Sequence, residues 1–430
     1  MMLLRSRRPF AVLALALCAP LAASAAGTVG VGTPESCTEA ALDAALAGGG
    51  VVDFDCGALP VVIEITAAKT IADVETTLDG DGVVTLAAVA DVGLFTVAST
   101  GTLTLRDLTL QDGRGAQGGA IANAGGLAIF DCVLRDNAAF PAGDGGAIHN
   151  TGTLVVSRTV LDDNAATRGG AIANAGVGPL LVEDSHFVGN AASDRGGALF
   201  TNANNLATAS RSLFEGNSAT DGGAIAVGSA SLAVTVRNST FTQNAADDRG
   251  AALYAEGPLT VRNATLASNR VGGDGDGGAL WRSGGAVRIG NSILAGTTAI
   301  FASDPFAECG GSGITSDGHN VVEDASCGFA AAGDLADTDP ALLLLADNGG
   351  PTRTLLPVVN EVSVSPAVDA GDPALCDALD QRGAPRPRDG DGDGEAICDV
   401  GAVEVPEPAA AAGALAAIAA LAARARHGCV

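Results

Sequence analysis

Residues 185–199 read SHFVGNAASDRGGAL, and residues 212–225 read SLFEGNSATDGGAI. Each stretch has Phe three residues before Asn and then a Gly-Gly-Ala-Ile/Leu motif, and both patterns recur along the chain. The Gly motif recurs at spacings of 24 to 28 residues and the Asn at spacings of 25 to 27. Two motifs with one period indicate a structural repeat. The Gly motif starts at Gly118, Gly145, Gly169, Gly196, Gly222, Gly250 and Gly277, with Ala251 replacing one second Gly.

The segments between the motifs have the chemistry of short strands and turns. Alternating apolar residues, as at Leu232, Val234 and Val236, are bounded by Gly, Asn, Asp and Ser. A unit of about 27 residues has the size of one coil of a parallel β-helix. We therefore predict an all-β fold. Residues 57–300 are predicted to form a right-handed parallel β-helix (solenoid) of about ten coils, with a disulfide-stabilised C-terminal cap. At ~4.8 Å per coil, this β-helix would be roughly 50 Å long.

Aligned repeats place similar residues in columns. The position three before each Asn is Phe or Leu, which suits the interior. The position five before is always small, so Cys132, which stands there, is predicted to be a buried packing residue rather than a reactive thiol. The Asn column is predicted to be a structural ladder, with side chains hydrogen-bonded between coils and a backbone that tolerates left-handed angles. The ladder comprises Asn137, Asn164, Asn190, Asn217, Asn244 and Asn269.

The N-terminal segment reads as a targeting signal. Residues 1–26 have a basic start, an apolar middle and small residues at the end, which predicts a secretory signal peptide cut near Ala25 or Ala26. A lipid anchor at Cys18 is the alternative, although Leu17 is larger than the residue that usually precedes such a Cys.

The rest of the chain divides into four further parts. Residues 27–56 form an N-terminal cap with a short amphipathic helix that covers the first coil. Residues 57–300 are the β-helix repeats, residues 301–404 form a C-terminal module, and residues 405–430 form a sorting tail.

Composition points to export and away from nucleic acid. The chain has 23 Lys and Arg against 49 Asp and Glu, so its net charge is −26. Phosphate backbones are bound by clustered cations, so a nucleic-acid partner is not expected. Six cysteines fall into sequence-near pairs, which predicts disulfides in an oxidising compartment, although sequence alone does not fix their connectivity. The pairs are Cys37 with Cys56, Cys309 with Cys327, and Cys376 with Cys398.

The repeat resembles that of chlamydial polymorphic outer-membrane proteins and related bacterial β-helix proteins. The resemblance covers residues 101–296, where the Gly-Gly-Ala-Ile and Phe-x-x-Asn motifs alternate. It implies a β-helix exposed on a bacterial surface.

The C-terminal module resembles the choice-of-anchor Q module, which accompanies exported β-helices with interchangeable anchors. The resemblance implies surface display but no known reaction. It rests on six motifs in order: SDGHN at 316–320, DPAL at 339–342, LADNGGPTRT at 345–354, SPAVDAGD at 365–372, DQRGAPRP at 380–387 and CDVGAVE at 398–404.

The tail resembles the PEP-CTERM sorting signal of Gram-negative bacteria. Pro406, Glu407 and Pro408 precede a small apolar run at 409–423 and then basic residues. The resemblance implies recognition and removal by an exosortase-like transpeptidase, with transient membrane association through the tail. The alternative is a plain Ala-rich helical tail.

An acidic loop near the C-terminus is the candidate metal site. Asp389, Asp391 and Asp393 alternate with Gly and resemble the start of a calcium loop. The twelfth position of an EF-hand loop would here be Val400, which cannot ligate, so Asp399 or Glu404 would have to substitute. A merely solvated acidic loop is the alternative. A second pair, Asp274 and Asp276, is a weaker candidate.

An enzyme is the rival interpretation, because the β-helix also carries polysaccharide lyases and glycoside hydrolases. Those reactions need converging carboxylates, or calcium-binding Asp with an Arg, on neighbouring coils. Arg168, Arg195 and Arg249 precede the Gly motif, and Asp221 occupies the same position between them. Charged residues repeated at one turn are usually solvated or ion-paired, so we interpret them as a surface column.

Other catalytic signals are weak. His149, His186 and His319 are far apart in the repeat frame, so a shared centre is not expected. Trp281 and Tyr254 are the only residues of their types, which leaves few aromatic surfaces for sugars.

We therefore expect a non-catalytic exported protein of the cell surface, outer membrane or extracellular matrix of a Gram-negative bacterium. Its role would be structural, adhesive or ligand-binding. Its expected partners are the sorting transpeptidase and extracellular polysaccharide or surface proteins, and calcium is the only cofactor considered.

Overall fold

The computed structural model describes residues 25–272, 277–299, 307–360 and 362–407. The described chain is a parallel β-solenoid of about 11 turns with almost no helix. This confirms the predicted all-β parallel β-helix. The predicted signal peptide lies outside the described residues except for its last two positions, which belong to the first strand.

A short helix covers the first coil, where the sequence predicted a cap. The α-helix Glu39–Leu46 follows a 3-10 turn, Pro34–Ser36, and its first turn is capped by the Thr38 hydroxyl, which accepts from the Ala41 N–H. Leu42, on the inner face of the helix, is fully buried. The helix therefore covers apolar strand ends that water would otherwise reach.

The largest sheet, sheet A, has 21 strands in two rows that meet at a bend. Two long strands, Glu75–Ala88 and Thr102–Gln111, run through both rows. The other strands of the first row are Ala25–Val29, Gly50–Phe54, Gly126–Phe130, Thr153–Ser157, Leu180–Glu183, Leu206–Ser210, Ala233–Arg237, Leu259–Arg262, Val287–Gly290 and Ile314–Gly318. Those of the second row are Val61–Ile65, Val133–Arg135, Val160–Asp162, His186–Val188, Leu213–Glu215, Thr240–Thr242, Thr265–Ala267, Ile293–Ala295 and Val321–Val322.

Two further sheets close each coil. Sheet B has ten strands and sheet C has six. The strands of sheet B are Lys69–Ile71, Phe95–Val97, Ile121–Asn123, Ile148–Asn150, Ile172–Asn174, Leu199–Thr201, Ile225–Val227, Leu253–Ala255, Gly278–Arg282 and Ala307–Gly311. Those of sheet C are Ala165–Arg168, Ala191–Arg195, Ser218–Asp221, Ala245–Arg249, Arg270–Val271 and Thr298–Ala299.

The Gly-Gly motif makes the turn from sheet C to sheet B. Its first Gly is left-handed, as at Gly145 with φ 72°, a conformation that glycine adopts without steric cost. Its second Gly touches the next coil: a Cβ on Gly146 would lie 2.0 Å from the Gly170 carbonyl oxygen. The motif therefore recurs because its first position needs a left-handed backbone conformation and its second position has no room for a side chain.

Inward apolar side chains stack in columns along the axis. The rings of Phe187, Phe214 and Phe241 are fully buried, with centroids 4.8 and 4.6 Å apart. These are the residues three before the ladder Asn, so the predicted interior column is confirmed. Parallel register places identical residues face to face, and offset ring stacking adds to their burial.

The β-helix extends past the boundary expected at residue 300. Ala307–Gly311, Ile314–Gly318 and Val321–Val322 pair in parallel with strands of the preceding coil. This last coil lacks the Gly-Gly-Ala-Ile/Leu and Phe-x-x-Asn motifs, which is why the sequence placed the end of the β-helix too early. Strand pairing requires inward apolar residues but not the motifs.

Because residues 307–322 belong to the β-helix, the C-terminal module starts at residue 323 rather than at the predicted residue 301. From here on this name means residues 323–407, which run back along the side of the β-helix. Their described strand pairing consists of isolated bridges. The buried amide of Gln381 donates to the Ser212 carbonyl oxygen at 3.3 Å and accepts from the Thr240 hydroxyl at 2.6 Å. Asp372 and Asn291 are also hydrogen-bonded to each other. The module thus lies against several coils as well as following the last one.

Three disulfides join the six paired cysteines. Cys37 is bonded to Cys56 in the N-terminal cap, and Cys309 to Cys327 where the last coil meets the module. The third, between Cys376 and Cys398, closes a loop of the module. They therefore lie at the two ends of the β-helix and in the module, where coil stacking gives least support.

Candidate functional site

The Asn column forms a continuous buried ladder on the inside of the turn before sheet C. The side-chain amides of the first five Asn each donate to the amide oxygen of the Asn on the next coil at 2.9–3.0 Å, as between Asn190 and Asn217. Each backbone N–H donates to the same oxygen at 3.1 Å. All six side chains are fully buried. Their donors and acceptors are used within the protein, so the column holds coils together and leaves no face for a ligand.

One detail of the ladder prediction is wrong. The ladder Asn do not adopt the left-handed conformation, which falls instead on the residue before each of them, such as Asp136 at φ 56° and Asp163 at φ 51°. Short polar residues and glycine tolerate this conformation best. The preceding residue therefore bends the chain so that the Asn side chain points inward.

Cys132 is buried in the small column and carries no sign of reactivity. It is 2 % exposed, and burial raises the pKa of its thiol to about 12. Its backbone N–H lies 3.4 Å from the Thr159 hydroxyl oxygen, the first step of a ladder of hydroxyl contacts. The thiolate that a nucleophile needs is thus disfavoured.

The acidic loop brings together a different set of carboxylates from the one predicted. Oxygens of Asp369, Asp389 and Asp391 lie within 4.8 Å of one another, whereas Asp393 is outside this group. The Asp393 carboxylate instead accepts from the Glu395 N–H at 2.8 Å. Asp389 and Asp391 stay together, and Asp369 joins them from a separate segment. Calcium at this loop stays a prediction, with Asp369 replacing Asp393 in the donor set.

Asp399 and Glu404 are not free to complete a calcium site. The Asp399 carboxylate accepts from the Asp369 N–H at 2.8 Å, and Glu404 accepts from the Arg388 and Asp399 N–H groups. Both acids are 1 % exposed beside the buried Arg386 guanidinium, whose Nε lies 3.4 Å from Glu404. Burial raises the pKa of Asp399 to about 7. Asp399, Glu404 and Arg386 therefore form an internal ionic cluster that holds the loops of the module together.

The other weak candidate, Asp274 with Asp276, lies outside the described residues.

The three arginines before the Gly motif lie in one register column with Asp221 between two of them, as predicted. Each guanidinium is ion-paired: Arg168 with Asp144 at 2.6 Å, Arg195 with Glu256 at 2.8 Å and Arg249 with Asp248 at 2.6 Å. Each also lies over an aromatic ring of sheet B. The rings are Phe200 under Arg168, Tyr254 under Arg195 and Trp281 under Arg249, at 5.0, 5.4 and 5.8 Å from the guanidinium carbon to the ring centroid.

We call these six residues the Arg–aromatic column. Phe200 and Tyr254 are 5 % and 2 % exposed, so the arginines cover rings that would otherwise face water. Exposed cation–π contacts contribute about 0.5–1 kcal/mol each. The column therefore stabilises the outer face of sheet B, and the buried rings of Phe200 and Tyr254 offer no open platform for a sugar.

Asp221 is the one unusual group in this region. Its side chain is 10 % exposed, and its carboxylate oxygens lie 3.9 and 3.7 Å from the Nε atoms of Arg195 and Arg249. One of these oxygens makes no hydrogen bond to any described residue. Burial raises the pKa of the carboxyl. The group has the raised pKa that a general base needs, and its nearest charged neighbours are the guanidiniums of Arg195 and Arg249.

The three histidines occupy separate elements, as expected. His186 lies 3.1 Å from Glu215, and the Nδ1 of His319 lies 2.7 Å from the Ala370 carbonyl oxygen. His149 is on sheet B, where burial lowers the pKa of its imidazole.

A second Asn ladder was missed in the sequence. Asn123 donates to Asn150 at 2.6 Å, and Asn150 donates to Asn174 at 2.8 Å, on the inner side of sheet B. Each of these Asn comes five residues after the first Gly of the motif. The aromatic rings of Phe200, Tyr254 and Trp281 come four residues after it, so alignment on the Gly motif contained both signals.

The tail leaves the module at its surface. Val405 is 6 % exposed, whereas Pro406 and Glu407, the first two residues of the sorting motif, are exposed. Pro408 and the apolar run lie outside the described residues. No helix in the described ranges has both the length and the apolar character needed to cross a bilayer.

Fold and ladders together define a repetitive parallel β-helix protein whose coils are joined by buried amides. Within it, residues 211–228 match the family model of the Chlamydia polymorphic membrane protein repeat. The matched segment is most of one coil and includes Phe214, Asn217 and Gly222, which carry the motifs in the sequence. No curated protein and no solved structure matches the chain.

Proposed function

We propose that this chain is an exported β-helix protein displayed at the bacterial surface or in the extracellular matrix, where it binds without catalysis. The observation that carries the proposal is the polymorphic-membrane-protein repeat at residues 211–228, set in a solenoid that propagates the same coil. A rod of this kind presents a long lateral surface, while its periodic polar groups are used to join the coils.

Three further features support export. The basic and apolar start of residues 1–26 has the order of a secretory leader. Disulfides at both ends of the β-helix and in the module suit an oxidising compartment. A net charge of −26 favours solubility outside the cell.

Within this proposal, the tail from Pro406 onward serves as a sorting signal cut by an exosortase-like enzyme. The exposure of Pro406 and Glu407 leaves the motif accessible to such an enzyme. The choice-of-anchor Q reading of the module fits the same role. Intact-mass spectrometry of protein from the native envelope should show that both termini are lost. Retention of residues 409–430 would overturn the sorting role.

The second candidate function is a polysaccharide lyase or glycoside hydrolase. The observation that favours it is Asp221, a carboxyl with raised pKa between two arginines. Both reactions need a second group: a partner carboxylate or a bound calcium on a neighbouring coil.

One experiment separates the two functions. Purified mature protein is incubated with a panel of acidic and neutral polysaccharides, with and without calcium, and both retention on the polymer and new chain ends are measured. The proposal predicts retention without new ends. New ends that disappear in Asp221→Asn, while Asp248→Asn retains them, would establish the enzyme instead.

A further inference from the structure

A groove lies between the outer face of sheet A and the C-terminal module. It has a volume of about 420 Å³. Its floor is formed by outward side chains of three neighbouring first-row strands, and its rim by one residue of the module. We call it the Thr–Arg groove, and its lining is Thr208, Thr235, Thr260, Arg237, Arg262 and Asp377.

Strand register arranges the lining in two columns. Thr208, Thr235 and Thr260 are successive partners along one column, and Arg237 and Arg262 are partners along the next. Neighbouring strands are ~4.8 Å apart, so the three hydroxyls span roughly 10 Å along the rod. The groove therefore presents a row of hydroxyls beside a pair of cations.

The two guanidiniums have unused donors. Neither Arg237 nor Arg262 donates a side-chain hydrogen bond to any described residue, and their nearest carboxylates are Asp377 at 3.5 Å and Asp317 at 3.8 Å. The Asp377 oxygen nearest Arg237 forms an ion pair with it at 3.5 Å, and the other oxygen of Asp377 accepts from the Asn238 amide at 2.7 Å.

Two arginines elsewhere on the β-helix show what a saturated guanidinium looks like. Arg158 donates to both oxygens of Asp131, and Arg211 donates to both oxygens of Asp184. Compared with these bidentate pairs, the two groove arginines have capacity left for a ligand.

The charge pattern also points to an anion. Like charges directly opposite each other on neighbouring strands repel, and this chain, with a net charge of −26, is not generally basic. The charged groups facing or flanking the groove are Arg237 and Arg262 with Asp377, then Arg288, whose guanidinium is paired with Asp317. An anionic group between the two arginines would relieve their repulsion.

We propose that the Thr–Arg groove binds an anionic saccharide of an extracellular polymer. Its charged group lies between Arg237 and Arg262, because the planar guanidinium matches a carboxylate or similar oxyanion with paired hydrogen bonds. Its hydroxyls meet the threonine column, since each Thr hydroxyl both donates and accepts. This inference rests on the proposed function, which places the protein among such polymers.

The test measures binding of defined probes to the mature protein by calorimetry at low ionic strength. The probes are tri-galacturonate, a sulfated trisaccharide, neutral galactotriose and inorganic sulfate. Binding of either charged trisaccharide supports the inference and identifies which anion the groove accepts. Equal binding of galactotriose, stronger binding of inorganic sulfate than of any trisaccharide, or no binding at all would overturn it.

Variants locate the site. Arg237→Gln and Arg262→Gln should each weaken trisaccharide binding on the order of tenfold, as expected for the loss of charged hydrogen bonds. The matched control is Arg270→Gln, which removes the same charge from sheet C and should leave affinity unchanged. Equal weakening in the control would contradict the site. Failure here leaves surface display intact, because display is measured on cells and does not involve the groove.

Discussion

The β-helix and the C-terminal module are built by opposite means. In the β-helix, identical neutral side chains repeat at one register, so each Asn pairs with its own copy on the next coil. In the module, unlike charged groups meet once, as where Arg386 lies beside Glu404 and Asp399. The first arrangement spreads stability evenly along the rod, whereas the second concentrates it in a single buried cluster.

This difference predicts how each region fails. Loss of one ladder residue should weaken the neighbouring coils and spare the others, because repeat stability is approximately a sum of nearest-neighbour terms. Loss of one member of the charged cluster should release the whole module, because its loops share the same partners.

The largest effect is expected from Arg386→Met. The guanidinium side chain is fully buried, and its loss leaves buried carboxylates without their cation, which typically costs about 3–5 kcal/mol. Hydrogen exchange should show lost protection across the module, residues 323–407, and unchanged protection in residues 101–200. The control Arg388→Met, two positions along, should behave as wild type. Equal loss of protection in the module and in residues 101–200 would contradict the expectation that the module is released while the β-helix stays folded.

Asn217→Ala should give the next largest effect. It removes the acceptor for the backbone and side-chain N–H groups of Asn190 and the donor to the Phe187 carbonyl. Each buried group left without a partner costs about 1–3 kcal/mol, so the free energy of unfolding should fall by about 2–4 kcal/mol.

The control for this variant is Asn204→Ala, at an exposed position outside both ladders. Denaturant unfolding of the two variants gives the comparison. If both lose the same free energy, the ladder does not join the coils as described.

Glu308→Gln tests the seam between the regions. Glu308 is 2 % exposed, accepts from the Thr297 N–H and hydroxyl, and has a pKa raised by burial from 4.5 to about 7. The folded protein therefore keeps a proton that the unfolded chain releases between about pH 4.5 and 7. This contribution to stability is complete below that window and is lost as the pH rises through it.

Thermal unfolding of wild type across that window should show the decline. Glu308→Gln, which does not titrate at this position, should reduce the slope, and buried acids such as Asp399 account for the part that remains. An equal slope in wild type and Glu308→Gln would show that the seam carboxyl does not titrate as described.

The smallest expected effect concerns calcium at the acidic loop. If the carboxylates of Asp369, Asp389 and Asp391 bind the ion, excess calcium should raise the melting temperature of the module by roughly 2–4 °C. Asp369→Asn should abolish the shift, and Asp393→Asn should preserve it. If excess calcium does not shift the melting temperature of the wild type, the alternative interpretation, a solvated acidic loop, is correct.

Repetition made the β-helix predictable from sequence. The Asn and Phe columns could be aligned because parallel register places equal offsets face to face, and this alignment located the interior, the ladder and Cys132. The same alignment contained Asn150 and Tyr254, which were missed because only offsets from the ladder Asn were followed.

The module could not be predicted in the same way. Nothing in the local sequence around Asp389 indicates that Asp369, twenty positions earlier, would join it in place of Asp393. Likewise, Arg237 and Arg262 line a groove only because the segment of the module that carries Asp377 folds back beside them. Such contacts join unlike residues that are far apart in the sequence. They depend on the path of the chain, which a repeat in the sequence does not predict.

Labelling of intact native cells with an antibody against the folded β-helix tests the central claim most directly. The account predicts labelling without permeabilisation, together with loss of the label after brief external proteolysis. Labelling that appears only after permeabilisation would contradict display at the surface, whatever the purified protein binds.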